Sequence, residues 1–204
     1  GAIVAPEQYL DIARRTGLIV AIDNMLLFRS VQLLRKIQKH SYPTAIFCNV
    51  SPHTISDRAF LKDFIDYMEG HTELAASLIF EFVQGDIDLT NAQTADDLSR
   101  LSHLGYRFSM DQMTEFDIDF SQLTSHGFRY VKVEASVLLT RSDGGPNILR
   151  WLKQAMDGPG IDLIVEKIET EQTLSELLEY NIDFGQGYLF GEPRLSKGEP
   201  ARAE

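Results

Sequence analysis

The sequence has one cysteine, one tryptophan and no apolar run long enough to span a membrane. A lone Cys48 cannot close an internal disulfide, which excludes a disulfide-stapled secreted scaffold and suits a reducing compartment. In its strand-like setting, Cys48 reads as a small core residue. Positive charge is also scarce. Nineteen Lys and Arg face 30 Asp and Glu, a net charge of −11, which excludes a basic groove for a DNA or RNA polymer. No secretory signal pattern opens the chain. The remainder is ordinary for a globular domain: 204 residues, 44% of them hydrophobic, enough for a single substantial core.

Short apolar runs alternate with amphipathic ones along this chain. The runs at 45–49, 78–81, 106–111, 130–132, 163–166 and 183–187 predict strands. Helices are expected at 6–14, from about Ile22 to Ile37, at 60–68, 92–104 and 120–123, at 147–156 and at 171–180. In the second helix, Ile22, Leu26, Leu33 and Ile37 form the expected buried stripe. Strands alternating with helices predict an α/β fold with a parallel sheet, either doubly wound or a closed barrel. The barrel is favoured because nearly every strand ends in a polar residue, which suits a ring of sites better than one crevice.

Those strand ends carry the chemistry. Asn49, Glu81, Asp111, Lys132 and Glu166 each close an apolar run. A single acid at a strand end is commonly solvated or caps a helix, and it is the joint occurrence that points to a site. Asn49, Glu81 and Asp111 are hard oxygen donors of the kind Mg²⁺ or Mn²⁺ takes. Lys132 could hold a phosphate or take a proton from water, and Glu166 could bind a second ion or orient that water. Such a set suits metal-assisted phosphodiester hydrolysis.

The order of these segments resembles the bacterial EAL domain, the cyclic di-GMP phosphodiesterase family. Pro6-Glu-Gln-Tyr-Leu10, with Ala13 to Ile19, is similar to the family's P-x-x-F-I … A-E-x-x-G-L-I, and Asn49-Val-Ser-Pro52 to its N-x-S-P. Phe80-Glu-Phe-Val-Gln84 stands at L-E-I-T-E, Met110-Asp-Gln-Met-Thr-Glu-Phe116 at L-D-D-F-G-T-G, and Val131-Lys-Val-Glu134 at L-K-I-D. Val165-Glu-Lys-Ile-Glu-Thr170 stands at A-E-G-V-E-T, and Gln186-Gly-Tyr-Leu-Phe190 with Pro193 at Q-G-Y-L-F … P. The resemblance implies a modified TIM (β/α)8-like barrel with one antiparallel strand, a single domain over 1–195 and a polar tail over 196–204. It implies metal ligation by Asn49, Glu81 and Asp111 and catalytic roles for Lys132 and Glu166. It also makes Asn49, Asp111, Lys132, Glu166 and Gln186 ligand-binding, and matches Glu169 to the second Glu of the Glu-Gly-Val-Glu element.

Four departures qualify it. The Glu-Ala-Leu segment that names the family is absent, its place falling just upstream of Gly1. Gln112 replaces the second Asp of the Asp-Asp pair, and a neutral amide is a poorer ligand and no base. Thr114, Glu115 and Phe116 replace Gly-Thr-Gly, which implies a reshaped loop, and Gln84 replaces the Glu that anchors that loop in the family. Lys167 replaces Gly and Glu134 replaces Asp.

The expectation is a catalytically degenerate EAL domain, a cyclic di-GMP receptor. It would signal to a partner protein in motility, flagellar assembly, attachment, biofilm formation or secretion. The alternatives are a nucleotide-independent scaffold and an active phosphodiesterase releasing pGpG with Mg²⁺ or Mn²⁺. The site is expected with or without a metal, and the chain as cytoplasmic or the cytoplasmic part of a membrane-tethered parent. A homodimer is left open.

Overall fold

The six apolar runs are strands: β1 (Ile46–Asn49), β2 (Leu78–Val83), β3 (Arg107–Asp111), β4 (Phe128–Glu134), β5 (Asp162–Glu166) and β6 (Phe184–Gly185). The computed structural model describes residues 6–38, 44–140 and 148–192. Each strand pairs in parallel with the next, so the sheet order is β1-β2-β3-β4-β5-β6. A doubly wound sheet reverses its order at a switch point, whereas a sheet that only advances is the arc of a barrel. The fold is therefore the expected barrel type. Within the described residues β1 and β6 are the edges of the sheet, and the antiparallel strand implied by the resemblance is not among them.

Helices connect the strands: α1 (Pro6–Arg15) and α2 (Ile19–Gln38) precede β1; α3 (Pro52–Ser56) and α4 (Arg58–Glu69) follow it. Then come α5 (Ala92–His103), α6 (Phe120–Ser125), α7 (Ala135–Thr140), α8 (Ile148–Asp157) and α9 (Glu171–Leu178). Their starts follow from capping side chains. Ser51, Asp57, Asn91, Asp119 and Thr170 each accept a hydrogen bond from a first-turn N–H. The strand expected over 183–187 is two residues long, and the helix expected from Asn147 begins, among the described residues, at Ile148. Residues 1–5 and 193–204, with Pro193 and the expected tail, lie outside the described residues.

The stripe expected on α2 is corrected. Leu26 and Leu33 are exposed, and the helix instead buries Ile19, Asp23, Leu27, Val31 and Leu34. The helix is apolar on more than one side, and the true stripe contains an acid, so a rule that counts apolar residues selects the wrong face.

Alternation along the strands sorts the two faces of the sheet. Phe80, Phe82, Phe108, Phe128, Val131, Val133, Leu163 and Val165 belong to the core cluster with Leu27, Leu34, Leu61 and Leu101 of the helices. Rings interlock here: Phe64 of α4 meets Phe80 edge-on at 5.4 Å, and Phe108 meets Phe128 at 5.5 Å. The residues between them, Glu81, Ser109, Asp111, Lys132 and Glu166, point to the opposite face, and that polar face is the site.

Candidate functional site

Strand register decides which side chains meet. Asn49 pairs with Glu81, Glu81 with Ser109, Val83 with Asp111, and Glu134 with Glu166. Glu81, Asp111, Lys132 and Glu166 converge accordingly. Lys132 Nζ lies 2.6 Å from Glu81 Oε2 and 3.5 Å from Glu166 Oε1. It also lies 4.8 Å from the centroid of the Phe47 ring, a cation–π contact that closes the side towards β1. Phe47 in turn meets Tyr130 edge-on at 5.3 Å, and Tyr130 accepts a hydrogen bond from Arg107 at 2.9 Å. Asn49 is exposed on the edge strand beside Glu81.

The electrostatics follow from burial. Lys132 is 5% exposed, Glu81 4% and Asp111 8%. Burial pulls the Lys132 ammonium down, and the Glu81 charge and contact oppose it. With Glu166 and Asp111 added, they hold it above the ordinary lysine value. Burial raises Glu81, with Lys132 opposing it and Asp111 adding to it. Burial raises Glu166 too, reinforced by Asp111 and opposed by Lys132. Three carboxylates thus surround one ammonium, an excess of acid in a poorly solvated place.

That excess bears on a metal. Asp111 Oδ1 is a buried atom with no hydrogen-bond partner, whereas Glu81 Oε2 is taken by the Lys132 ammonium at 2.6 Å. Carboxylate oxygens with an amide are the donor chemistry of Mg²⁺ or Mn²⁺. Among the described residues, no three His, Cys, Asp or Glu side chains are grouped to hold an ion by themselves. The donor chemistry suits a hard ion, which Asn49, Glu81 and Asp111 would hold once Glu81 Oε2 leaves Lys132.

The departures from the family pattern prove to be partners of one another. Gln84 Oε1 accepts from the Thr114 and Glu115 N–H groups at 2.8 and 3.0 Å, while Gln84 Nε2 donates to the Glu115 carbonyl at 2.8 Å. A carboxylate could accept the first two but could not make the third. Phe116 and Met113 are buried in the core cluster, so the loop is pinned from below as well. Gln112 is exposed, with φ 52°. Lys167, with φ 57°, pairs with Glu134 across the ends of β4 and β5.

Gln186 is exposed, but its backbone is fixed. Its N–H donates to the Val165 carbonyl and its carbonyl accepts from the Ile168 N–H. Gly187 permits this approach, because a Cβ there would lie 2.1 Å from the Ile168 carbonyl oxygen. Glu169 is exposed beyond this turn.

The strand-end pattern did not reveal Phe47, Ser109 or Asp23. Phe47 and Ser109 look like ordinary strand residues. Asp23 is a buried α2 acid that accepts from the Thr54 hydroxyl at 2.6 Å and the Ser51 N–H at 2.9 Å, holding the segment after Asn49. A lone acid in an otherwise apolar helix stripe was its signal.

A parallel sheet advancing around an arc, with acids and one lysine at its carboxyl-end rim, defines a barrel of the TIM type with a rim site. The family model for the EAL domain matches residues 1–193, and the chain belongs to that family. Among curated relatives it is 26% identical over 199 residues to the biofilm architecture maintenance protein MbaA of Vibrio cholerae, covering 93% of this chain and 24% of MbaA. It is 22% identical over 208 residues to the cyclic di-GMP phosphodiesterase PdeF of Escherichia coli, covering 98% and 28%. The chain thus spans about a quarter of the length of these relatives. The solved PaMucR phosphodiesterase in complex with c-di-GMP matches with a TM-score of 0.78 at 20% identity, over 93% of this chain and 84% of that one.

Proposed function

We propose that this chain is a catalytically degenerate EAL domain that binds cyclic di-GMP and passes its occupancy to a protein partner controlling motility, flagellar assembly, attachment or secretion. One observation carries the reading. The floor keeps its acids and its lysine, while the position after Asp111 is a neutral, exposed amide. Hydrolysis by two ions needs a second carboxylate set, whereas binding does not. In this reading Asn49, Glu81 and Asp111 hold a single Mg²⁺ or Mn²⁺, which would offset phosphate charge. Glu166 and Gln186 face the ligand with Lys132 beneath them, and Lys132 and Glu166 are vestiges of catalysis. The solved neighbour bound to c-di-GMP and the relative named for biofilm architecture support the ligand and the pathway class.

Hydrolysis is the second reading. The buried Lys132 between Glu81 and Glu166, and the relative named as a phosphodiesterase, favour it. The readings separate on one assay: incubation with cyclic di-GMP in Mg²⁺ and in Mn²⁺, with the nucleotide recovered and identified. Intact nucleotide with saturable binding supports the receptor; release of pGpG sinks it; no binding at all leaves the scaffold.

A further inference from the structure

Resting on the receptor reading, we propose that Lys167 is a ligand-positioning residue of the same rim, a tethered ammonium that takes a phosphate oxygen of the bound dinucleotide. The argument begins with the backbone. Lys167 has φ 57°, the left-handed region that a side chain bearing Cβ disfavours and glycine does not. Its neighbours impose this conformation. Glu166 ends β5 against Lys132, while Ile168 is fully buried and bonded through both its N–H and its carbonyl to the 186–189 segment. A glycine would sit there without strain, and the chain instead carries a long cation.

Stability does not explain that choice. The Lys167 side chain is 62% exposed and its partner is Glu134. An exposed ion pair returns less than a strained non-glycine residue loses. Direction does explain it. Ser136 Oγ donates to Glu134 Oε2 at 3.3 Å, which leaves Oε1 to the Lys167 ammonium and fixes where that ammonium stands. Glu134 and Glu166 are register partners, and Lys167 feels the Glu166 and Glu169 charges besides its contact with Glu134, so the ammonium stands near Glu166 at the edge of the floor. One of its three protons reaches Glu134, and its exposed side keeps donors for an incoming anion. Lys132, by contrast, is enclosed by Glu81, Glu166 and Phe47. Lys167 is therefore placed to meet the ligand's charge where the floor alone would repel it.

The test titrates cyclic di-GMP in Ca²⁺, and separately pyrophosphate, into the wild-type protein, Lys167→Gln and Lys167→Gly, each at two salt concentrations. Lys167→Gln is expected to weaken both ligands about tenfold and to flatten the salt dependence, as loss of one charged contact should. Lys167→Gly is expected to weaken both equally while raising the melting temperature, because the strain goes with the side chain. Equal affinity of wild type and Lys167→Gln for both probes overturns the proposal and leaves the receptor reading standing. Pyrophosphate discrimination without any dinucleotide binding overturns the receptor reading and keeps Lys167 as an anion site. Binding of neither probe overturns both.

Discussion

Substituting Lys132 with methionine removes the ammonium from between Glu81 and Glu166 and keeps most of the volume of its stem. At an effective dielectric of about 20, a charge 2.6 Å away contributes about 6 kcal/mol and one 3.5 Å away about 5 kcal/mol. Desolvation of the three buried groups offsets most of this, and the net loss on removing one partner of a buried pair is about 3–5 kcal/mol. Glu81 and Glu166 already hold protons more tightly than ordinary glutamates, chiefly through burial, and without Lys132 they hold them more tightly still. The sign follows. A raised carboxyl leaves stability intact below its unfolded value and removes it as pH rises through the folded one. Lys132→Met should therefore lose most at pH 8 and little at pH 5. Urea denaturation in EDTA, run on Lys132→Met, Glu81→Gln and the double variant, measures this. The double variant should recover about 2 kcal/mol or more of the single loss, since it also removes an unpaired buried charge. A loss below about 1 kcal/mol that does not change between pH 5 and 8 would refute the reasoning.

Three further outcomes follow from other contacts. Gly187→Ala drives a Cβ into the Ile168 backbone, 2.1 Å from its oxygen and 2.4 Å from its nitrogen. Overpacking plus two displaced hydrogen bonds should remove about 3 kcal/mol, a fall of roughly 10 °C in Tm. Gln84→Ala should speed exchange of the Thr114 and Glu115 amides about tenfold while leaving the β2 and β3 amides unchanged, because Gln84 Oε1 is the acceptor of both. Burial, then the nearby Asp183, raises the Asp162 carboxyl above its usual value. Wild type should therefore lose stability relative to Asp162→Asn as pH rises from about 4 towards neutrality, measured by thermal melts across that range.

Why these features differ in legibility is physical. Glu81, Asp111, Lys132 and Glu166 were readable because each is a lone charge closing an apolar run, and strand register then brings them together. The advancing parallel order was likewise implied by strands alternating with helices. The α2 face was not readable: Leu26 and Leu33 compete with Leu27 and Leu34 at the same spacing, and burial of Asp23 depends on Ser51 and Thr54 arriving from another segment. The pairing of Gln84 with the 114–115 loop and of Lys167 with Glu134 joins positions some 30 residues apart. Spacing along the chain carries no trace of such matches, so residues that look like isolated departures from a family pattern are, in three dimensions, mutually satisfied.

The receptor reading is tested most directly by calorimetric titration of cyclic di-GMP in Ca²⁺ and in EDTA, with the nucleotide recovered afterwards from Mg²⁺ and Mn²⁺ incubations. The account predicts saturable binding, micromolar or tighter, in Ca²⁺, weaker binding in EDTA where the acidic floor lacks its counter-ion, and intact nucleotide throughout. No heat in either buffer, or conversion to pGpG, would contradict it.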